Sequence, residues 1–221
     1  MLQQETIRRT DRVDFYFDPT CPWTWITSRW LVAIARRRGM TISWQPMSLP
    51  VLNGGVENMP ERFQEGDRLS VRALRMVAAM RRAGRIDLIG RFYTELGTRL
   101  HVDGDAPSLD VLQSAAEAAG ADVFLVDAGD SRYDADVKES TDRGMALAGP
   151  DIGSPVLAIP GHGRGIYGPI ISPAPSGAET ERLWESLETL LAMPCFYELK
   201  HGRSAAPETR PVQLAGAARE A

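Results

Sequence analysis

The sequence predicts an α/β fold in which a βαβ unit and a later ββα unit flank a large all-helical insertion. Three observations predict it. Between Arg12 and Pro46 a period-two pattern gives way to helical spacing and then returns. From Leu49 to Gly149 the strand pattern is absent and apolar residues recur at helical intervals. After Asp151 two short apolar runs and one more amphipathic helix complete the folded part.

The first strand is read over Arg12 to Asp18, where Phe15 and Phe17 alternate with Asp14, Tyr16 and Asp18. Trp23, Ile26, Trp30 and Ile34 then mark a helix from Pro22 to Arg38, with proline at the first helical position and Gly39 as its C-terminal cap. Thr41 to Pro46 is the second strand, and a strand pair joined by a helix of this length implies parallel pairing. In the insertion, Leu69, Ala73, Met76, Val77 and Met80 form one apolar face, and Leu88, Ile89, Phe92, Tyr93, Leu96 and Leu100 another. Met76 and Met80 read as core filling, and the arginines from Arg62 to Arg99 as a solvated face. A third helix starts at Ser108 and ends at Gly120, with shorter helices near 122–129 and 131–148. Strands return at Pro155 to Ile159 and around Ile166 and Tyr167. The glycines of Gly161-His162-Gly163-Arg164-Gly165 between them make a hairpin turn and not a phosphate loop. A last helix, Glu179 to Met193, turns Leu183, Trp184, Leu187, Leu190 and Leu191 inward. This order is that of a thioredoxin-like fold, α/β with a large all-helical insertion domain. The expected division is 12–53 with 150–200 as the thioredoxin-like domain, 54–149 as the helical lid, and 1–11 and 202–221 as flexible termini.

Composition narrows the function. A formal charge of −4 gives no general pull toward nucleic acid. No apolar run reaches membrane-span length, and Met1 to Asp14 lack the apolar stretch of a secretory signal. Cys21 and Cys195 are far apart and make no disulfide framework, so a cytoplasmic chain is expected. His101, His162 and His201 are scattered without metal-ligand spacing, so no metal is expected.

The chemistry concentrates at Cys21. The switch from strand to helix brackets it, which puts the thiol at the helix N-cap, where unpaired N–H groups and the helix dipole favour an anion. A reactive thiolate is the expectation. Thr24 stands one helical turn on, where a dithiol motif carries its second cysteine. Its hydroxyl can hydrogen-bond the sulfur but cannot displace a disulfide-bound adduct, so a cycle on Cys21 must be finished by an outside thiol. Gly153-Ser154-Pro155 opens the third strand, and in this order of elements Pro155 is expected to be cis beside the thiol, presenting the Ser154 backbone to an extended substrate. Cys195, after the last helix, reads as a buried structural thiol.

These residues resemble the DsbA-like branch of the thioredoxin superfamily, and within it the mycothiol-dependent nitroreductases. The resemblance rests on Asp18-Pro19-Thr20-Cys21-Pro22-Trp23 and Trp25-Ile26-Thr27-Ser28-Arg29-Trp30, on Met47-Ser48-Leu49 with Leu52-Asn53, and on Arg99-Leu100-His101. It continues through Tyr133-Asp134, Gly144-Met145, Asp151 to Pro155, Gly168-Pro169 and Phe196 to Lys200. It implies a cytosolic thiol oxidoreductase, homodimeric, with no tightly bound cofactor and with mycothiol or a similar low-molecular-weight thiol as co-substrate. Cys21 and Thr24 would be the catalytic pair, with Pro22, Trp23, Asn53, His101, Ser154 and Pro155 contacting substrate. The chain departs from the family pattern at Thr24, at Ser154, where threonine is commoner, and at Phe63, where a tyrosine is expected. The expected activity is that of a monothiol oxidoreductase on mixed disulfides or small electrophiles, nitroaromatics included. The alternatives are a thiol-cofactor isomerase or transferase, or a binding module that has lost the cycle.

Overall fold

A computed structural model describes residues 10–210. Its centre is one four-stranded sheet in the order β2-β1-β3-β4, made of β1 (Arg12–Phe17), β2 (Thr41–Pro46), β3 (Val156–Ala158) and β4 (Gly165–Tyr167). β1 and β2 are parallel, from Arg12 opposite Thr41 to Phe17 opposite Pro46. β3 lies antiparallel to β1, with Phe15 opposite Leu157, and β4 antiparallel to β3. The expected thioredoxin-like fold is the one observed. β3 is shorter than its apolar run: Pro155 has no N–H to give, and the Ile159 carbonyl is taken by the N–H of His162 in the hairpin turn.

The helices are α1 (Pro22–Arg38), α2 (Leu49–Leu52), α3 (Gln64–Arg82), α4 (Ile86–Thr98), α5 (Leu109–Ala119), α6 (Asp134–Ala148) and α7 (Ala178–Ala192). Gly39 closes α1 in the left-handed conformation (φ 67°), which costs a glycine nothing. Ser108 caps α5 through the N–H of Val111. The expected pieces near 122–129 and 131–148 are 3-10 turns at Asp122–Gly129 and Ser131–Tyr133, followed by α6. The short α2 was not expected; Ser48 caps it, its hydroxyl accepting from the N–H of Val51.

Because β1 is a central strand, both of its faces are covered. Phe15 and Phe17 meet Trp44 of β2 edge-on at 5.6 Å, and Tyr93 of α4 lies 4.5 Å from the Phe17 ring, which joins the sheet to the helical segment. On the opposite face Tyr16, Met47 and Val156 are buried against Leu147, Ala148 and Ile152. The period-two pattern of β1 is therefore wet only at its start, where Arg12 is exposed and Asp14 partly so, and Tyr16 and Asp18 are buried like the phenylalanines. α1 is held to α7 at its far end. The Trp30 and Trp184 rings lie 6.1 Å apart, and the Arg38 guanidinium reaches Glu181, Glu185 and Glu188 at 2.8, 3.1 and 3.4 Å.

Several arginines of the helical segment find acids from α6: Arg75 pairs with Asp134 and Arg82 with Asp136, both at 2.6 Å. No helix among the described residues is long and apolar enough to cross a membrane. Two expectations concern the ends. Residues 1–9 and 211–221 lie outside the described residues, whereas Asp11 accepts a backbone bond from Thr41, and 202–210 follow an irregular but defined course. Cys195 was expected to be buried and is exposed: past α7 the turn is held through its backbone, Arg164 donating to the Met193 and Pro194 carbonyls, and among the described residues nothing covers the thiol.

Candidate active site

The loop Asp18–Cys21 between β1 and α1 is gripped from three sides. The Asp18 carboxylate is fully buried and receives four donors: Oδ1 accepts from the N–H of Thr20 (3.0 Å), the Thr20 hydroxyl (3.0 Å) and the Ser70 hydroxyl (2.8 Å), and Oδ2 from the N–H of Leu49 (3.0 Å). Burial pushes its pKa up, and these bonds pull it back. His101, in a π-helical turn after α4, lies 3.2 Å from the Pro19 carbonyl. Burial lowers its pKa to about 4, so at neutral pH the ring is uncharged, and Nε2 carries the proton because a carbonyl only accepts.

Cys21 is the N-cap of α1 (φ −77°, ψ 117°), with Pro22 following at the first helical position. Its Sγ lies 3.9 Å from the carbonyl oxygen of Ser154, and the Ser154–Pro155 bond is cis. Thr24 and Ser154 join the same cluster. The N–H of Asp18 donates to Ser154 Oγ at 2.9 Å, and Ser154 Oγ lies 2.8 Å from Thr24 Oγ1. With one Ser154 lone pair so occupied, its hydroxyl proton is free to point at Thr24, which leaves the Thr24 proton for the sulfur. A Thr24 hydrogen bond indeed favours the Cys21 thiolate, as do the backbone N–H groups of Thr24 and Trp23.

The expectation of a thiol already shifted toward thiolate is overturned. Cys21 is only 9% exposed, and burial pushes its pKa up, with the Asp18 charge adding to the rise. Desolvation outweighs the helix terminus here, because the sulfur is covered by groups from distant parts of the chain. The clefts lined by Ile170 to Leu183 and by Pro46, Arg81 and Ser140 do not include it.

The other expected site residues are dispersed. Trp23 stands half-buried at the rim, and Trp25 is core, with Arg29 stacked 4.1 Å over its ring. Asn53, at the end of α2, is exposed and turns its amide onto the Leu49 carbonyl at 2.8 Å; the structure does not bring it into the hydrogen-bonded cluster. Phe63 is exposed beneath Arg62. Sequence reasoning missed Asp18 and Tyr167 as neighbours of the thiol, Ser70 and Asp67 as neighbours of Asp18, and Arg203 as the neighbour of Trp23. For Asp18 a signal existed in its place three residues before Cys21; for the others none did, because their proximity is made by tertiary contacts. Among the described residues no group of three or more His, Cys, Asp or Glu side chains is placed to hold a metal ion.

Asp67 of α3 is 4% exposed, its Oδ2 has no hydrogen-bond partner, and burial followed by the Asp18 charge raises its pKa to about 6. An unfolded aspartate titrates near ~3.9. The favourable contribution of the protonated form is therefore complete below that value and lost as pH rises through about 6. Asp67→Asn is expected to leave stability unchanged at pH 4 and to raise it at pH 8. Urea unfolding at the two pH values reads this, and an equal change at both would refute it.

Comparison with known proteins places these residues in a family context. Residues 20–201 match the profile of the Rv2466c-like family, described as mycothiol-dependent nitroreductase Rv2466c. The chain is 30% identical over 199 residues to the uncharacterized protein Rv2286c of Mycobacterium tuberculosis (strain ATCC 25618 / H37Rv), covering 88% of this chain and 83% of that protein. Among solved structures a 2-hydroxychromene-2-carboxylate isomerase aligns with a TM-score of 0.49 and 18% identity, over 81% of this chain and 94% of its own.

Proposed function

The chain belongs to the Rv2466c-like, mycothiol-dependent nitroreductase family, and from that premise we propose that it is a monothiol oxidoreductase acting through Cys21. The observation that carries the reading is the placement of the Cys21 sulfur against the Ser154 carbonyl beside Pro155, with the Thr24 hydroxyl as its donor. Substrate is a mixed disulfide or a small electrophile such as a nitroaromatic, and mycothiol or a similar thiol is the co-substrate.

In the disulfide reaction the Cys21 thiolate attacks one sulfur of the substrate. A bond forms between Cys21 and that sulfur, and the other sulfur leaves as thiolate and takes up a proton. Thr24 has no sulfur with which to break the new bond. A free thiol must therefore attack the adduct, forming its own disulfide and returning Cys21 as thiolate. Each turnover consumes one outside thiol, which leaves in the new disulfide, while the other half of the substrate leaves as a thiol. The ground-state thiol is protonated, so entry of substrate is the moment at which the Thr24 hydroxyl and the N–H groups at the start of α1 come to bear on the ionised sulfur.

Pro22 and Trp23 form the rim of the groove on this reading, Ser154 and Pro155 its floor, and Asn53 and His101 the side formed with helical segment 54–149. The same reading makes the protein a cytoplasmic homodimer without nucleic-acid or membrane partners. Treatment with oxidised mycothiol followed by peptide mass mapping tests it. One mycothiol is expected on Cys21, removable by reduced mycothiol and absent in Cys21→Ser. Turnover persisting in Cys21→Ser would sink the proposal and favour a reaction in which the bound thiol itself is the cofactor.

A further inference from the structure

Residues 203–209 have no regular secondary structure, yet most of the contacts that hold them are made with residues around the Cys21 loop and its flanking strand. The Arg203 guanidinium carbon lies 5.1 Å from the centre of the Trp23 ring. The same side chain hydrogen-bonds the Tyr167 hydroxyl, which itself lies so close to Gly153 that a Cβ there would be 3.3 Å from it. The N–H of Glu208 donates to Ser172 Oγ at 2.8 Å. At Thr209 the carbonyl accepts the Trp25 indole N–H at 3.2 Å, and the hydroxyl donates to the His101 carbonyl. The segment thus runs from the strand beside Ser154 across the two tryptophans that follow Cys21, to the histidine that holds Pro19.

Its anchoring is light. Arg203 to Ala206 are exposed, and only Pro207 and Thr209 are partly covered, so no large apolar surface is removed from water. A few hydrogen bonds and one stacked guanidinium offset the entropy of ordering seven residues, which makes this a part of the chain that opens without global unfolding. The sulfur of Cys21, two residues before Trp23, is almost wholly shielded.

We propose that residues 203–209 form a strap that closes the Cys21 groove in the resting chain, with Arg203 occupying over Trp23 the place that a planar or cationic part of the substrate takes. Substrate and strap then compete for one surface, and the groove admits only molecules able to replace the guanidinium on the indole. The inference rests on the reading of Cys21 as the reacting group.

Iodoacetamide labelling of Cys21, quantified by peptide mass mapping with exposed Cys195 as internal reference, tests the strap without any thiol substrate. Three chains are compared: full length, ending at Arg210, and ending at Gly202. The chain ending at Gly202 is expected to label about tenfold faster at Cys21 than the other two, as for release of a weakly held segment. Arg203→Ala, which keeps the chain intact, is expected to fall between. The acceleration must scale the rate at all pH values, since loss of the Arg203 charge alone would instead move the pH midpoint upward and slow the reaction. Equal rates in all chains, a slower rate in the shortest, or the same acceleration on ending at Arg210 would each overturn the strap. Faster labelling without a mycothiol adduct would sink the oxidoreductase reading and leave the strap standing, and the reverse result would do the opposite.

Discussion

Asp18→Ala is expected to lower stability by about 3 kcal/mol at neutral pH, because it removes a fully buried acceptor from four donors, one buried and three part-buried, each costing up to about 1–3 kcal/mol when left unpaired. The donors come from separate elements: Thr20 from the Cys21 loop, Leu49 from α2 and Ser70 from α3. Release of a desolvated carboxylate offsets part of the loss, since burial already works against its charge. Asp18→Asn separates the two effects. It retains an oxygen for the Thr20 and Ser70 donors and sets an amide against the Leu49 N–H, so roughly half the loss is expected. Urea unfolding gives both values. A loss below about 0.5 kcal/mol for alanine, the range of an ordinary surface change, would show that the carboxylate does not hold the loop.

The second large effect lies at Thr24. Thr24→Val keeps the shape of a fully buried side chain and removes the hydroxyl that donates to the sulfur and meets Ser154. A hydrogen bond to a charged group contributes about 1.5–3 kcal/mol, which converts to a fall of about 10- to 100-fold in the Cys21 labelling rate at neutral pH. The rate at pH values high enough to ionise the thiol fully should be unchanged, which distinguishes loss of a donor from loss of access. An identical pH profile in wild type and Thr24→Val would remove threonine from the site chemistry. The wild-type profile carries its own check: with burial as the leading influence, the midpoint should lie above the ~8.5 of a free cysteine.

What could be read from the sequence was what local pattern encodes. The βαβ and ββα units announce themselves by period, and Gly39, Ser108 and Gly120 mark helix ends by their own chemistry. The position of Cys21 at a helix start was legible for the same reason. Its ionisation was not, because the groups beside the sulfur come from distant parts of the chain, with the Ser154 carbonyl against it and Tyr167 of β4 within electrostatic reach. The burial of Asp18 was hidden by an alternation that normally marks a wet face and here marks a strand with helices on both sides. The cis bond at Ser154–Pro155 followed from its place in the element order, while those at Gly168–Pro169 and Ser172–Pro173 had no comparable marker. Cys195 was misjudged because a thiol after an amphipathic helix looks like core until its side chain is seen to face solvent.

The three-pronged grip of Arg38 on α7, with the indole pair one layer below, has a mechanical corollary. It ties the rear of the rod whose front end bears the nucleophile to a second helix, so that any tilt of the rod toward an incoming molecule has to carry α7 with it.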